Sequence, residues 1–579
     1  LLEEALAIRK AVRGPRHPET AVSLTKLGAF YLQTGAYGQA QPLLEEALAI
    51  RKAVRGPRHP ETAVSLNDLA NVYSATGAYA EALTLYKEAL TITKTVLGPR
   101  HFHTAASLHN LALFYEDTGA TAQTLPLLME ALAIMKDTAR RDEYAMARVL
   151  KNSATVFWRR GQWAAALEYL AAEAKIEEAS LGAVLAVGDE SRKHAYMATL
   201  EGSTSIVISF AEATVLRPQP AISLGLEVVL QRKGRVLDVL AESLRRIRKS
   251  GSPEDQALWA RYVAAQTDWA AMTLRGPGSQ PLDQYRTRLT ELGQKVDKVA
   301  TELSSRSSQF RAVIEPVTLA QVQRAIPPGA VLLEWVRYRP FNPEAIKGET
   351  SWGAPRYAVY VLKSHGAPVF VDVGEAEALE QQVATLLPTV RYPGGMEVMQ
   401  APAKDLYRIL IEPVQAHLRS ATKLFLSPDG QLNLLPFALL QGTRGRSLAD
   451  QYELTYLTSG RDLLRPATPA VASRPSLLVA DPAFDASIPA SRTVPTVPLP
   501  RPRRSADLDR GGIRFDPLPG TAQEARDLSL LLKLPSSQVL TGAQATEAAV
   551  KQAKSPKILH LATHGFFLNN LSEAFPSTW

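Results

Sequence analysis

The stretch Leu1 to Leu24, LLEEALAIRKAVRGPRHPETAVSL, recurs without a change at Leu43 to Leu66. A weaker copy, LYKEALTITKTVLGPRHFHTAASL, occupies Leu85 to Leu108; LLMEALAIMK begins at Leu127 and YLAAEAKI at Tyr169. Each copy starts 42 residues after the last. Self-similarity at such a period is the mark of a stacked array, in which each unit covers the apolar face its neighbour cannot bury alone.

Within a copy, residue sizes read as two antiparallel helices. Gly28, Ala70, Ala112 and Ala154 are small where helices cross closely, and Tyr31, Tyr73, Tyr115 and Phe157 follow three residues later to fill the space beside them. Gly35, Gly77, Gly119 and Gly161 end the first helix. The second helix carries Ala40, Ala82, Thr124 and Ala166, then Leu44, Tyr86, Leu128 and Leu170, then Ala47, Ala89 and Ala131. Glu173 breaks that last series, so the fourth copy reads as a cap or junction. Gly14-Pro15, Gly56-Pro57 and Gly98-Pro99 stop the second helix, and a new one starts after His17-Pro18-Glu19-Thr20 and its copies.

These residues resemble tetratricopeptide repeats of the 42-residue kinesin-light-chain type, over residues 1 to 176. The resemblance implies a concave face for a protein or peptide partner; a plain spacer is the alternative. Thr25, Asn67, His109 and Lys151 vary from copy to copy at one non-packing position, which suits either reading. His17, His59 and His101 each sit in their own inter-repeat loop and read as loop-packing residues rather than metal ligands.

Hydrophobic residues make up 46% of the 579 and charged residues 21%, a globular balance that allows more than one domain. The formal net charge of +8 is spread along the chain, so nucleic acid is not expected as the primary ligand. No apolar run reaches the ~18 residues of a membrane span. The complete absence of cysteine excludes disulfides and thiolate metal sites and fits a reducing, cytoplasmic setting. No cofactor is expected, because no phosphate-binding glycine loop occurs.

From 177 to 312 the periodicity stays helical without the 42-residue register, as in Gly234 to Lys249 and Tyr285 to Arg306, and reads as a connector. From 313 to 579, β-rich runs alternate with amphipathic segments. The expected strands are Ala330 to Tyr338, Arg356 to Leu362, Pro368 to Val373, Lys423 to Pro428, Ser476 to Ala480 and Lys557 to Thr563. The expected helices include Glu375 to Leu386, Lys404 to Leu418, Thr521 to Leu532 and Glu547 to Ala553. The fold class is therefore an α-solenoid followed by an α/β domain with a largely parallel sheet. Ser491 to Gly512, rich in Pro and Arg, reads as an exposed loop.

The sharpest chemical signal is KILHLATHGFF, Lys557 to Phe567, an apolar strand ending in Thr563-His564-Gly565. A side chain at a strand's carboxyl end enters the crevice where open α/β sheets place ligands, and histidine there takes and returns protons near neutral pH. With PPGAVLLEWVRY (Pro327 to Tyr338), LFLSPDGQLNLLPFALL (Leu424 to Leu440), YLTSGRDLL (Tyr456 to Leu464) and PLPGTAQEARDL (Pro517 to Leu528), this segment resembles the CHAT domain. That domain is caspase-like and often follows tetratricopeptide repeats. The resemblance implies a cysteine endopeptidase acting on a protein substrate, in a clan whose bacterial members serve defence and regulated cell death.

Carried over, His564 matches the family's catalytic histidine and the backbone of Gly565 its oxyanion-hole donor; His560, on the strand before them, reads as a sheet-core histidine that supports the site. The nucleophilic cysteine is expected roughly 50 residues beyond the histidine, but no cysteine occurs and only 15 residues follow His564. The chain is thus expected to be cut short in this domain, and also at Leu1, which lies inside a repeat. These residues alone should be inactive; the alternative is a non-catalytic scaffold with a pseudo-peptidase interaction domain. His560 and His564 do not read as a metal pair, since four residues of strand span about 13 Å. Ser427 near Asp429 reads as a turn after a strand, not a serine nucleophile.

Overall fold

The computed structural model describes residues 2–138, 143–186, 190–213, 219–236, 252–275, 282–306, 316–345, 350–391, 396–442, 445–465, 475–483, 519–553 and 556–563. The chain falls into two compact units, Leu1–Arg245 with Ser307–Leu464, and Arg246–Arg306 with Arg465–Trp579.

In the first unit the helices follow the 42-residue register. After α1 (Leu2–Arg13) come the pairs α2 (Pro18–Gln33) with α3 (Tyr37–Arg55), α4 (Pro60–Thr76) with α5 (Tyr79–Val96), α6 (Phe102–Asp117) with α7 (Thr121–Thr138), and α8 (Glu143–Arg159) with α9 (Trp163–Ala186). The small residues sit where the helices meet: Ala40, Ala47, Ala70, Ala82, Ala89 and Ala112 are fully enclosed, against Leu44, Leu66, Leu108 and Leu128. Gly77 closes α4 in the left-handed conformation (φ 87°), which only a residue without Cβ adopts freely.

The inter-repeat turn is closed by its own motif. Thr20, Thr62 and Thr104 each donate a hydroxyl hydrogen bond at 2.8 Å to the carbonyl of Gly14, Gly56 and Gly98. His17, His59 and His101 are more than loop packing: Nδ1 of each accepts the backbone N–H two residues on, at 3.2, 3.2 and 3.1 Å, and so caps the next helix.

Two further helices, α10 (Glu190–Ala213) and α11 (Gln219–Arg232), continue from the array and cover one face of a five-stranded sheet. Its order is β3-β2-β1-β4-β5, with β1 Ala330–Tyr338, β2 Arg356–Lys363, β3 Val369–Glu375, β4 Lys423–Ser427 and β5 Glu453–Tyr456. β1 runs parallel to β4, and β4 to β5, whereas β2 pairs antiparallel with both β1 and β3, so this sheet is mixed. Leu332 and Val336 of β1 pack on the α10–α11 side with Ile208, Leu226 and Leu230, and Val331, Leu333 and Trp335 pack on the other side with Leu379, Leu406 and Leu410. Burial on both faces explains why β1 reads as an almost unbroken apolar run. The helix expected at Lys404 to Leu418 is Met396–Leu410 followed by a 3₁₀ turn, Glu412–Val414, because Pro413 lacks the N–H that a continuing helix needs.

The second unit contains the helices Pro253–Arg275 and Leu282–Arg306, packed on each other through Leu258, Tyr262 and Val299, and a three-stranded sheet of order β7-β6-β8. Here β6 (Leu477–Pro482) lies between β7 (Val539–Gly542) and β8 (Leu559–Ala562), both parallel to it. Most of Gly234 to Lys249 and all of Ser491 to Gly512 lie outside the described residues.

Candidate functional site

The carboxyl end of the β7-β6-β8 sheet is where the sequence places its chemistry. β8 pairs with β6 in the register Leu559↔Leu477, His560↔Leu478, Leu561↔Val479 and Ala562↔Ala480. Ala480 and Ala562 are buried with Ala525 of the helix Pro519–Leu531, so the short side chains on this side let the helix approach the strands closely. Leu559 and Leu561 alternate to the other face and are exposed. His564 and Gly565 follow β8 directly in sequence and lie outside the described residues.

The histidine expected in the sheet core is half-buried instead. His560 is on the face toward the helix Pro519–Leu531, with Nε2 3.2 Å from Glu524 Oε1. One residue escaped the sequence reading. Asp481, at the end of the central strand, has φ 45°, a conformation that costs a residue with a Cβ, and its N–H donates to Thr521 Oγ1 at 3.0 Å. A sequence pattern does not reveal a backbone angle, so no signal could have singled it out. Among the described residues no group of three or more His, Asp or Glu side chains is arranged to hold a metal.

Ser427 is no nucleophile in this geometry. It is fully buried, with its hydroxyl donating to Glu334 Oε1 at 2.7 Å and accepting from Lys233 Nζ at 2.7 Å. Asp429 accepts from Gly430 N–H at 3.0 Å, as the turn reading requires, and also from the N–H of Arg337 at 2.8 Å.

In the array, the position that varies from copy to copy does pack. Asn67 and His109 are buried, and Asn67 Nδ2 donates to Ser107 Oγ at 3.1 Å. Burial and the neighbouring Arg148 charge push the His109 imidazole down to about 4, so it is neutral at physiological pH. Asp68, one residue beyond Asn67, is raised to about 6 by burial, against the pull of Arg51 and Arg148. Next to the fourth repeat, Trp158, Trp163 and Phe341 line a cavity of about 440 Å³ with Arg159, whose Nε donates to Pro343 O at 2.7 Å.

A repeating helix-pair array followed by mixed α/β structure defines the class of molecule, and comparison with known proteins names its parts. The tetratricopeptide repeat model matches residues 1–53, 24–95 and 96–176, and the CHAT domain model matches residues 400–575. The chain therefore carries tetratricopeptide repeats followed by a CHAT domain. Human tetratricopeptide repeat protein 28 is 30% identical over 172 residues, 28% of this chain; the chain spans only 6% of that relative's length. Among solved structures, the kinesin light chain TPR-like repeats of Podosopora anserina are 24% identical (37% of this chain, 96% of that one, TM-score 0.27). BtubC (BKLC) from P. vanneervenii is 21% identical (31% and 71%, TM-score 0.26).

Proposed function

We propose that these residues belong to a caspase-like cysteine endopeptidase of bacterial defence or regulated cell death, acting in the cytoplasm with the repeats as its partner-docking arm. The observation that supports this reading is the CHAT match over residues 400–575, which takes in β8 and the His564-Gly565 pair that follows it in sequence. His564 would take the proton of a cysteine thiol and return it to the leaving amine, and the N–H of Gly565 would donate to the tetrahedral oxyanion. The thiol has to come from outside these 579 residues, which contain no cysteine, so this stretch alone should not cleave by that mechanism. The test is turnover of an identified substrate by the protein in which these residues occur. His564→Ala should lower it by at least about 100-fold with the melting temperature unchanged. Full activity in that variant sinks the assignment.

The same lack of cysteine supports a second reading, a non-catalytic scaffold whose CHAT domain binds partners. Labelling of the whole protein by a thiol-directed peptidase probe, blocked by prior alkylation, decides for the peptidase; partner capture without labelling decides for the scaffold.

A further inference from the structure

Helix α11 ends in a polar socket on the five-stranded sheet. Lys233, one residue past the helix, places its ammonium 2.7 Å from Glu334 Oε1 on β1 and 2.9 Å from the carbonyl of Trp335. At the end of β4 it also meets the carbonyl and the hydroxyl of Ser427, at 2.8 and 2.7 Å. Glu334, whose side chain is wholly enclosed, accepts the N–H of Gly460 on its other oxygen at 2.7 Å. Arg461 answers in the opposite direction, donating to the carbonyl of Leu230 and, at 2.8 Å, to that of Lys233. Those carbonyls at a helix end have no partner inside the helix, so Arg461 supplies what α11 lacks. The fit leaves no slack: a Cβ on Gly460 would lie 2.5 Å from Leu332 and 2.9 Å from Leu230, and one on Gly234 2.6 Å from Thr458. The Ser459-Gly460-Arg461 run thus serves as the seat of a helix end.

The neighbouring residue faces the other way. Arg232 is buried, with its guanidinium 2.7 Å from Glu177 Oε2 on α9, 2.7 Å from Thr204 Oγ1 and 3.1 Å from Ser203 Oγ on α10. Ser203 also donates to Glu177 Oε2, at 2.7 Å. Two consecutive cations therefore join the last repeat helix to one side of α11 and the sheet to the other. Pulling either pair apart would leave a buried charge uncompensated, which favours α11 keeping both partners when one of them moves.

We propose that α11 is a coupling strut, which delivers a displacement of α9 through Arg232 and Lys233 to the ends of β1 and β4 and to the Thr458–Arg461 loop. The inference does not depend on peptidase activity. It is tested by hydrogen exchange on the whole chain with Glu177→Gln, a change on α9 whose bonds go to α10 and α11. Exchange should rise about tenfold or more, the effect of 1.4 kcal/mol in local opening, in residues 423–427 and 458–462 as well as in α9 to α11. The helices α2 to α5 should stay at the wild-type level. A rise confined to α9 and α10 overturns the proposal. If Glu177→Gln unfolds the array, seen as faster exchange in α2 to α5 as well, Ser203→Ala replaces it. That variant loosens the Glu177–Arg232 pair without removing a charge, and the same two outcomes decide.

Discussion

Gly28 and Leu44 occupy adjoining space with nothing to spare: a Cβ at position 28 would lie 2.7 Å from Leu44 Cγ. The later repeats carry alanine at this crossing, and Ala70 and Ala112 are fully enclosed. Ala70→Leu should therefore cost about 1 to 3 kcal/mol by overpacking. Gly28→Ala should cost less, because a gain of up to about 1 kcal/mol in helix propensity offsets part of the clash. Urea denaturation of both variants checks the order; an Ala70→Leu protein as stable as wild type would contradict the register of the helix pairs.

Replacing a capping histidine tests the turn. His59→Ala should lose about 0.5 to 2 kcal/mol, since the N–H of Glu61 is then left without its acceptor. His59→Asn, which restores an acceptor of suitable reach, should recover most of it. Equal melting temperatures for the two variants would remove the cap from the explanation.

Glu173 stands where the earlier repeats have alanine, and it is buried. Burial, then the charge of Glu177, pushes its carboxyl up to about 8, with Arg232 and Lys151 pulling against them. A folded-state value above the unfolded one means that the folded protein holds the proton longer. The stability associated with it is fully present below the unfolded carboxyl's range, near pH 4 to 5, and is lost as pH rises through about 8. Glu173→Gln, neutral at every pH, should flatten this dependence, which for one proton has a slope of at most about 1.4 kcal/mol per pH unit. Denaturation at several pH values between 5 and 9 reads it out, and identical slopes in variant and wild type would refute it.

His109 works with the opposite sign. Its value is depressed to about 4, so the unfolded chain binds the proton more readily, and stability falls as pH drops from about 6.5 toward 4. Asp68, raised to about 6, stabilises the fold increasingly as pH falls over part of the same window and masks the effect. His109→Asn should consequently make the array more stable toward acid relative to wild type, and Asp68→Asn less so. Melting temperatures at pH 4.5 and 7 separate the two; parallel shifts in both variants would contradict the assignments.

The array and the central strands were legible because their signals are local and repeated. The small-residue positions set the helix pairs, and Ala330 to Tyr338 is apolar enough on both faces to be read as a strand with both of its ends correct. β5 and β7, four residues each and only partly buried, carry no such run and went unread. The role of Gly460 and Arg461 was illegible for another reason, since the carbonyl that Arg461 seats lies 231 positions earlier in the chain. The histidine caps were hidden by a residue type that seldom does this work. His564 rests on the sequence and the family match alone, whereas the half-burial of His560 beside Glu524 depends on a tertiary contact that no local pattern shows.

The identity of Leu1 to Leu24 with Leu43 to Leu66 has a consequence for the gene as well as for the fold. Removing or adding one 42-residue copy would take out or insert a whole helix pair and leave the junction in register. The attachment of α11 uses Glu177 of the fourth pair and residues beyond it, so exchanges among the first two copies would not touch it. Reach of the arm is thus free to vary in steps of 42 residues while its attachment stays constant.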